Sequence, residues 1–327
     1  MSHRLCVAPM MNVTDRHCRY FHRLLAPNSR LYTEMVTSNA ILKGNRLKLL
    51  QFDPRESPLA LQLGGSDPKM LAEASRIGSE MGYTEINLNC GCPSKRVVSG
   101  NFGASLMNSP NLVADCVKAM IDASGLLVTV KHRLGINENY NYEFTYKFVE
   151  TVQSAGCKVF IVHARNAVLG GLSPKKNRTI PPLKMHFVHQ LKKDFPNSLF
   201  VANGGLSTVE DCLNLLSLRS EVKDGKSVDG VMVGREAINN PWLLVQINKK
   251  LFSNNLDLPD GPEQVVEQLQ KYYEVQIKTG QRPSQITKQW LYLFKNYEGS
   301  KIWRQSLVCG FSPTEACKKA NFSQLLY

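Results

Sequence analysis

Glu85-Ile86-Asn87-Leu88-Asn89-Cys90-Gly91-Cys92-Pro93-Ser94 is a short apolar strand that runs straight into a turn bearing an amide, a thiol, a glycine and a proline. Pro93 fixes its own φ and biases Cys92 toward an extended conformation. Gly91 lets the backbone pass close to something flat or bulky. The segment reads as a strand that ends at a pocket, with Cys92 facing it. Taken alone it also fits a second reading, in which Cys90 and Cys92 are small buried hydrophobes, as most free cysteines are.

Outward from this strand, the same unit repeats. Leu5–Ala8 reads as a first strand, Leu31–Thr33 a second, Leu59–Leu63 a third and Glu85–Leu88 the fourth. Leu127–Lys131, Val159–His163, Leu199–Ala202 and Gly230–Val233 complete eight. Helical patterns fall between them: Arg16–Leu25 behind an Asp15 cap, Pro68–Met81 behind Asp67, Pro110–Ala123, Glu143–Ala155, Leu183–Asp194 and Val209–Leu216. Eight strands with intervening helices are the pattern of a (β/α)8 TIM barrel, an α/β fold. A doubly wound sheet is the alternative, but the first strand lacks a G-x-G-x-x-G turn, so a dinucleotide site of that type has no support.

The tail differs. Leu256-Asp257-Leu258-Pro259-Asp260-Gly261-Pro262 reads as a linker. Val265, Val266, Leu269, Tyr272, Tyr273 and Ile277 then keep helical spacing, and Ser312-Pro313-Thr314-Glu315 resembles a capping box. Residues 1–245 are therefore expected to form the barrel and residues 246–327 a small helical domain. A chain of 327 residues suits one barrel of roughly 250 residues plus such an appendage.

Composition narrows the partners. Forty Lys and Arg against 27 Asp and Glu give a net charge of +13, which favours a polyanion, nucleic acid before membrane. The tail holds only +4 of this, from 11 basic and 7 acidic residues beyond Gln246. No apolar run approaches the ~18 residues of a membrane helix. The segment from Met1 to Pro9 reads as the start of a strand rather than a signal peptide. Nine scattered cysteines without paired CxxC spacing suggest free thiols in a reducing cytoplasm and no metal.

In such barrels chemistry sits where the strands end. Those ends read Pro9-Met10, Gln62, Asn89 with Cys92, Lys131, His163 with Arg165, Asn203-Gly204-Gly205 and Gly234-Arg235, each after an apolar strand body. The glycines after strands seven and eight flank the usual phosphate position, and Arg235 adds a bidentate cation. Lys131 and His163 would then lie under the ring of a phosphorylated cofactor, where a cation stabilises an anionic reduced flavin. Gln62 can bond the ring's amide-like edge, and Pro9 and Met10 offer apolar backing. FMN fits these parts better than a dinucleotide.

Taken together, the residues resemble the tRNA-dihydrouridine synthase family and its A subfamily. The matching segments include Val7–Met10, Thr14–Arg19, Tyr32–Met35, Leu61–Gly65, Asn87–Ser94, Phe102–Ala104, Val130-Lys131, Val162–Arg165 and Val231–Glu236. The stretch from Gly171 to Leu183 looks like a signature of the A subfamily. The resemblance implies an FMN enzyme that uses NADPH to reduce the C5=C6 bond of a uridine in the tRNA D-loop. It places FMN contacts on Pro9, Met10, Gln62, Lys131, His163, Asn203, Gly204, Gly205, Gly234 and Arg235. It places the proton donor to C5 on Cys92, opposite the hydride delivered to C6. Asn89, Arg165, Lys175 and Arg178 fall on tRNA contacts near the target base, and Lys301 and Arg304 on tRNA contacts in the tail. A monomer is expected.

Three positions depart from the family pattern: Asn12 where Asp is common, Cys90 where Val is common, and His132 where Thr is usual. Cys90 thereby adds an oxidation partner for Cys92. Two other functions stay open at this point. One is an FMN barrel acting on a free pyrimidine or small enone. The other is a tRNA-binding protein without chemistry.

Overall fold

A closed barrel has two chemically distinct faces, and a two-residue strand period sorts side chains between them. The computed structural model describes residues 3–216, 227–252 and 258–322. Its parallel strands are β1 (Leu5–Val7), β2 (Leu31–Tyr32), β3 (Val36–Thr37), β4 (Leu59–Gly64), β5 (Glu85–Cys90), β6 (Val128–His132), β7 (Val159–His163), β8 (Leu199–Asn203) and β9 (Gly230–Val233). They pair in the order β1-β9-β8-β7-β6-β5-β4-β2. The ring closes through a parallel bridge between Cys6 and Arg30, with Val7 N–H on Arg30 O at 3.0 Å and Arg30 N–H on Leu5 O at 2.8 Å. This is the (β/α)8 barrel.

β3 is additional to the eight strands read from the sequence. It pairs with the upper part of β4 after the strand is interrupted at residues 33–35. Two half-buried residues carry no period by which a strand could be recognised.

Outward residues such as Leu61, Ile86, Val130, Phe160 and Val231 pack beneath the helices. Inward ones such as Tyr32, Ala60, Ile161, Val201 and Met232 fill the lumen. Apolar strand bodies hold for the outward face, but β5 turns Glu85, Asn87 and Asn89 inward in a polar row. The helices begin where local chemistry starts them: Asp15 accepts from Cys18 N–H at 2.9 Å and Asp67 from Met70 N–H at 3.0 Å. The helix expected from Leu183 starts at Met185 instead, because Lys184 N–H is held by Ala164 O at 2.8 Å.

The tail helices Pro262–Lys278, Pro283–Ile286, Ser300–Val308 and Pro313–Lys319 enclose Trp290, Trp303 and Phe294. Both halves of the Ser312–Glu315 capping box form. Met1 and Ser2 of the expected first segment, and Leu256 and Asp257 of the expected linker, lie outside the described residues. The helix Trp242–Leu251 runs across position 245. Along Pro262–Lys278 the buried face ends on Gln276 rather than the exposed Ile277, because Gln276 pairs with Arg16 of the barrel.

That helix docks on Arg16–Leu25. Tyr272 stacks on Tyr20 at 3.9 Å and 15°, its hydroxyl lies 2.8 Å from His17 Nδ1, and Trp290 meets its ring edge-on. Tyr272→Ala should therefore cost about 3–5 kcal/mol in urea unfolding, as large buried aromatics do on truncation. A loss below about 1 kcal/mol would mean that the tail docks by other contacts.

Candidate functional site

The strand ends open into a cavity of about 1010 Å³. Pro9, Met10, Gln62, Asn89, Cys92, Lys131, His163, Arg178, Asn203, Gly204, Gly205, Gly234 and Arg235 all line it. Arg165, Lys175, Lys301 and Arg304 do not. Arg165 turns its guanidinium to Pro181 O, and Lys175 is exposed at the start of the turn Lys176–Arg178. Lys301 and Arg304 lie on the tail helix Ser300–Val308, Arg304 over the Tyr292 ring at 5.7 Å.

The Cys92 turn is built by one amide. Asn89 Oδ1 accepts from Gly91 N–H at 3.1 Å and from Cys92 N–H at 3.0 Å. Cys92 O accepts from Ala104 N–H at 3.0 Å, and Cys92 Sγ lies 3.5 Å from Ser94 Oγ. The need for glycine falls at Gly103. Its φ is +72°, and a Cβ there would meet Val97 Cγ1 at 2.3 Å and Cys92 O at 2.7 Å. At Gly91 a Cβ would meet nothing closer than 3.5 Å, so the protein's own packing does not demand glycine there.

Arg133 was not singled out from the sequence, yet it ties the site together. Nε donates to Gly91 O at 2.9 Å, and Nη1 donates to Asn166 O and Asn177 O, each at 2.9 Å. It thus joins the Cys92 turn to the Gly171–Leu183 stretch. The sequence reading ends this strand at Lys131, whereas β6 runs on to His132. The i, i+2 spacing of Lys131 and Arg133 is the signal that places both on the inward side.

Lys131 Nζ donates to Asn203 Oδ1 at 2.9 Å, and Asn203 Nδ2 donates to Met232 O at 2.8 Å. Burial, then repulsion from Arg133, lowers the Lys131 ammonium to about 7. Burial and the surrounding arginines hold His163 well below its ordinary value, so its ring is neutral. Burial also lowers Arg133 to about 10 and depresses Arg178. None of Lys131, Arg133, Arg178 and Arg235 pairs with a carboxylate among the described residues. Asp15 and Glu34 also line the cavity, and burial is the main cause that raises both carboxyls.

Beside Asn203, Gly204 (φ +114°) and Gly205 (φ +72°) hold left-handed backbone. A Cβ on Gly234 would meet only Ala8 Cβ, at 4.0 Å, so the space it faces is open. The N–H groups of Gly204, Gly205, Gly234 and Arg235 find no acceptor among the described residues. Bare donors beside a guanidinium form an anion cradle. Among the described residues, no group of three or more His, Cys, Asp or Glu is placed to hold a metal.

The family model for dihydrouridine synthase matches residues 6–326. The chain belongs to the dihydrouridine synthase family. It is 51% identical over 303 residues to the tRNA-dihydrouridine(20/20a) synthase of Synechocystis, covering 93% of this chain and 88% of that one. The Pseudomonas aeruginosa enzyme of the same name is 48% identical over 307 residues, with 94% and 90% covered. That of Yersinia pestis is 47% identical over 305 residues, with 93% and 85% covered.

Each departure from the dihydrouridine synthase pattern has a place. Asn12 sits at φ +59°, a left-handed conformation that Asn tolerates, and its carbonyl accepts from Lys288 and Gln289 of the tail. Cys90 and His132 are register partners on β5 and β6, and both point outward into the core. The Cys90 thiol faces Cys116 and Cys157 there, whereas Cys92 lines the cavity. His132 donates from Nδ1 to Arg133 O at 2.6 Å and packs between Phe148 and Phe160.

Gly103→Ala should lower stability by about 1–3 kcal/mol, since it adds both strain and overlap under the Cys92 turn. Gly91→Ala should stay within about 0.5 kcal/mol. Thermal unfolding of the two variants side by side checks the contrast.

Proposed function

We propose that this chain reduces a D-loop uridine of tRNA to 5,6-dihydrouridine, with FMN as resident cofactor and NADPH as reductant. The observation that carries the reading is the meeting, in one cavity, of an anion cradle, a paired Lys131–Asn203 and the Cys92 turn. The residues fit FMN. The unpartnered N–H groups of Gly204, Gly205, Gly234 and Arg235 match a phosphate. Lys131, Gln62, Pro9 and Met10 surround the space for the ring. About 1010 Å³ reaches the top of the usual ligand-pocket range of roughly 300–1,000 Å³, leaving room for a second ring beside the first.

When bound, FMN would supply a hydride to C6 of the uracil. The chain's own groups do the rest. Asn89 and Arg178 receive the flipped base, since chemistry on a base requires it to leave its stack. Cys92 delivers a proton to C5 from the opposite face. Arg133 and Lys131 offset the negative charge that gathers on a uracil oxygen as C6 is reduced. Arg165, Lys175, Lys301 and Arg304 extend the tRNA surface beyond the cavity, with residues 1–245 as the catalytic unit and 246–327 as the RNA-binding one. We read the protein as a cytoplasmic monomer whose cysteines are free thiols.

Cys92→Ala should retain flavin and tRNA binding while turnover falls by about 10²–10⁴-fold. Product formed at the wild-type rate would remove Cys92 from the proton transfer. The Lys131 charge sets a second expectation. Its ammonium titrates near 7 and an anionic ligand binds the protonated form, so FMN affinity of the flavin-free protein should fall as pH rises through about 7. Lys131→Gln should weaken binding by about ten- to a hundredfold at lower pH and flatten that dependence. Fluorescence titration of FMN across pH reads both.

A further inference from the structure

Barrels of this kind fill their lumen with branched apolar side chains. Here β5 sends Glu85, Asn87 and Asn89 inward, all buried, and Thr129 and Gln62 join them from β6 and β4. Buried polar groups persist where they are satisfied, and these satisfy one another. Thr129 Oγ1 donates to Glu85 Oε1 at 2.6 Å, and Asn87 Nδ2 donates to Thr129 Oγ1 at 2.8 Å. Gln62 Nε2 donates to Asn87 Oδ1 at 2.7 Å, and Asn89 Nδ2 donates to Gln62 Oε1 at 2.9 Å. Asn89 Oδ1 then receives the N–H groups of Gly91 and Cys92.

The two ends fix the direction of this chain independently. The Glu85 carboxylate, with Arg30 at 3.0 Å, His3 at 2.8 Å and Tyr32 at 3.1 Å around it, accepts only. The backbone N–H of Cys92 donates only. Each amide between them must therefore face its oxygen toward Cys92 and its nitrogen toward Glu85. Turning any one of them round would set two donors or two acceptors together.

We propose that Glu85, Thr129 and Asn87, which do not line the cavity, are positioning residues for the Cys92 turn. They act through Gln62 and Asn89, whose amide orientation the chain dictates. Gln62 is held to present a defined edge to the cofactor space, and Asn89 is held to grip the turn with its oxygen, so that only its second Nδ2 hydrogen is left to meet the base. The inference rests on the reading of Cys92 as proton donor.

Thr129→Val keeps shape and removes the hydroxyl; Thr129→Ser keeps the hydroxyl. In the purified flavin-loaded protein, iodoacetamide labelling followed by peptide mass reports the Cys92 turn, with the exposed Cys309 as internal reference. Thr129→Val should speed labelling of Cys92 severalfold and leave Cys309 unchanged. Under anaerobic conditions it should slow flavin reoxidation by tRNA lacking dihydrouridine by about ten- to a hundredfold, while flavin reduction by NADPH keeps its rate. Thr129→Ser should match wild type in both. Asn87→Leu breaks the chain one link higher and gives the same test should Thr129→Val not fold. Wild-type labelling and reoxidation in a folded broken-chain variant would overturn the proposal, as would equal losses in the Val and Ser variants. If wild-type flavin were not reoxidised by tRNA, the functional reading would fall, and Cys92 labelling would still decide the positioning role.

Discussion

Closing eight parallel strands into a ring obliges them all to finish at one rim, and the bridge between Cys6 and Arg30 is what closes it. Once the ring is shut, every inward side chain must find a partner inside it or at its mouth, because no edge remains through which to reach water. Apolar residues on β7, β8 and β9 meet that demand by packing. The polar residues of β4, β5 and β6 meet it by bonding to one another in sequence. The rim is where the demand relaxes, and there the chain places its amides, cations and thiol.

The mouth is electrostatically unbalanced. Lys131, His163, Arg133 and Arg178 all have their charged forms disfavoured by burial. No carboxylate offsets Lys131, Arg133 or Arg178 among the described residues. Such a cluster costs stability in the folded chain, and an anion that binds there recovers it by mass action. The same imbalance that weakens the empty barrel is a source of affinity for a phosphate and for a polyanionic substrate.

Much of this was legible in the sequence because it is local. Strand positions follow from apolar runs between turn residues, and Asp15, Asp67 and Ser312 start helices through bonds within four residues. The cradle glycines and Cys92 stand where strands stop, which topology alone makes meaningful. What was missed depends on distant partners. Gln276 is buried because of Arg16, some 260 positions away in the chain. Arg133 matters because three carbonyls from separate segments converge on it. Gly103 must be glycine because Val97 and Cys92 crowd it. The polar lumen was hidden because Glu85, Asn87 and Thr129 read as ordinary members of short strands until the barrel brought them together.

The carbonyl of Asn12, held by Lys288 and Gln289, joins the tail to the turn that follows Pro9 and Met10. Tail and barrel are consequently not interchangeable parts. A chimaera that exchanged the tail from residue 258 onward would cut the cavity wall from its outer brace. A graft between relatives would have to carry the Asn12 turn and the Arg16–Leu25 helix with the tail. The unit of inheritance that shapes this mouth is therefore discontinuous in the chain, pairing its first thirty residues with its last seventy.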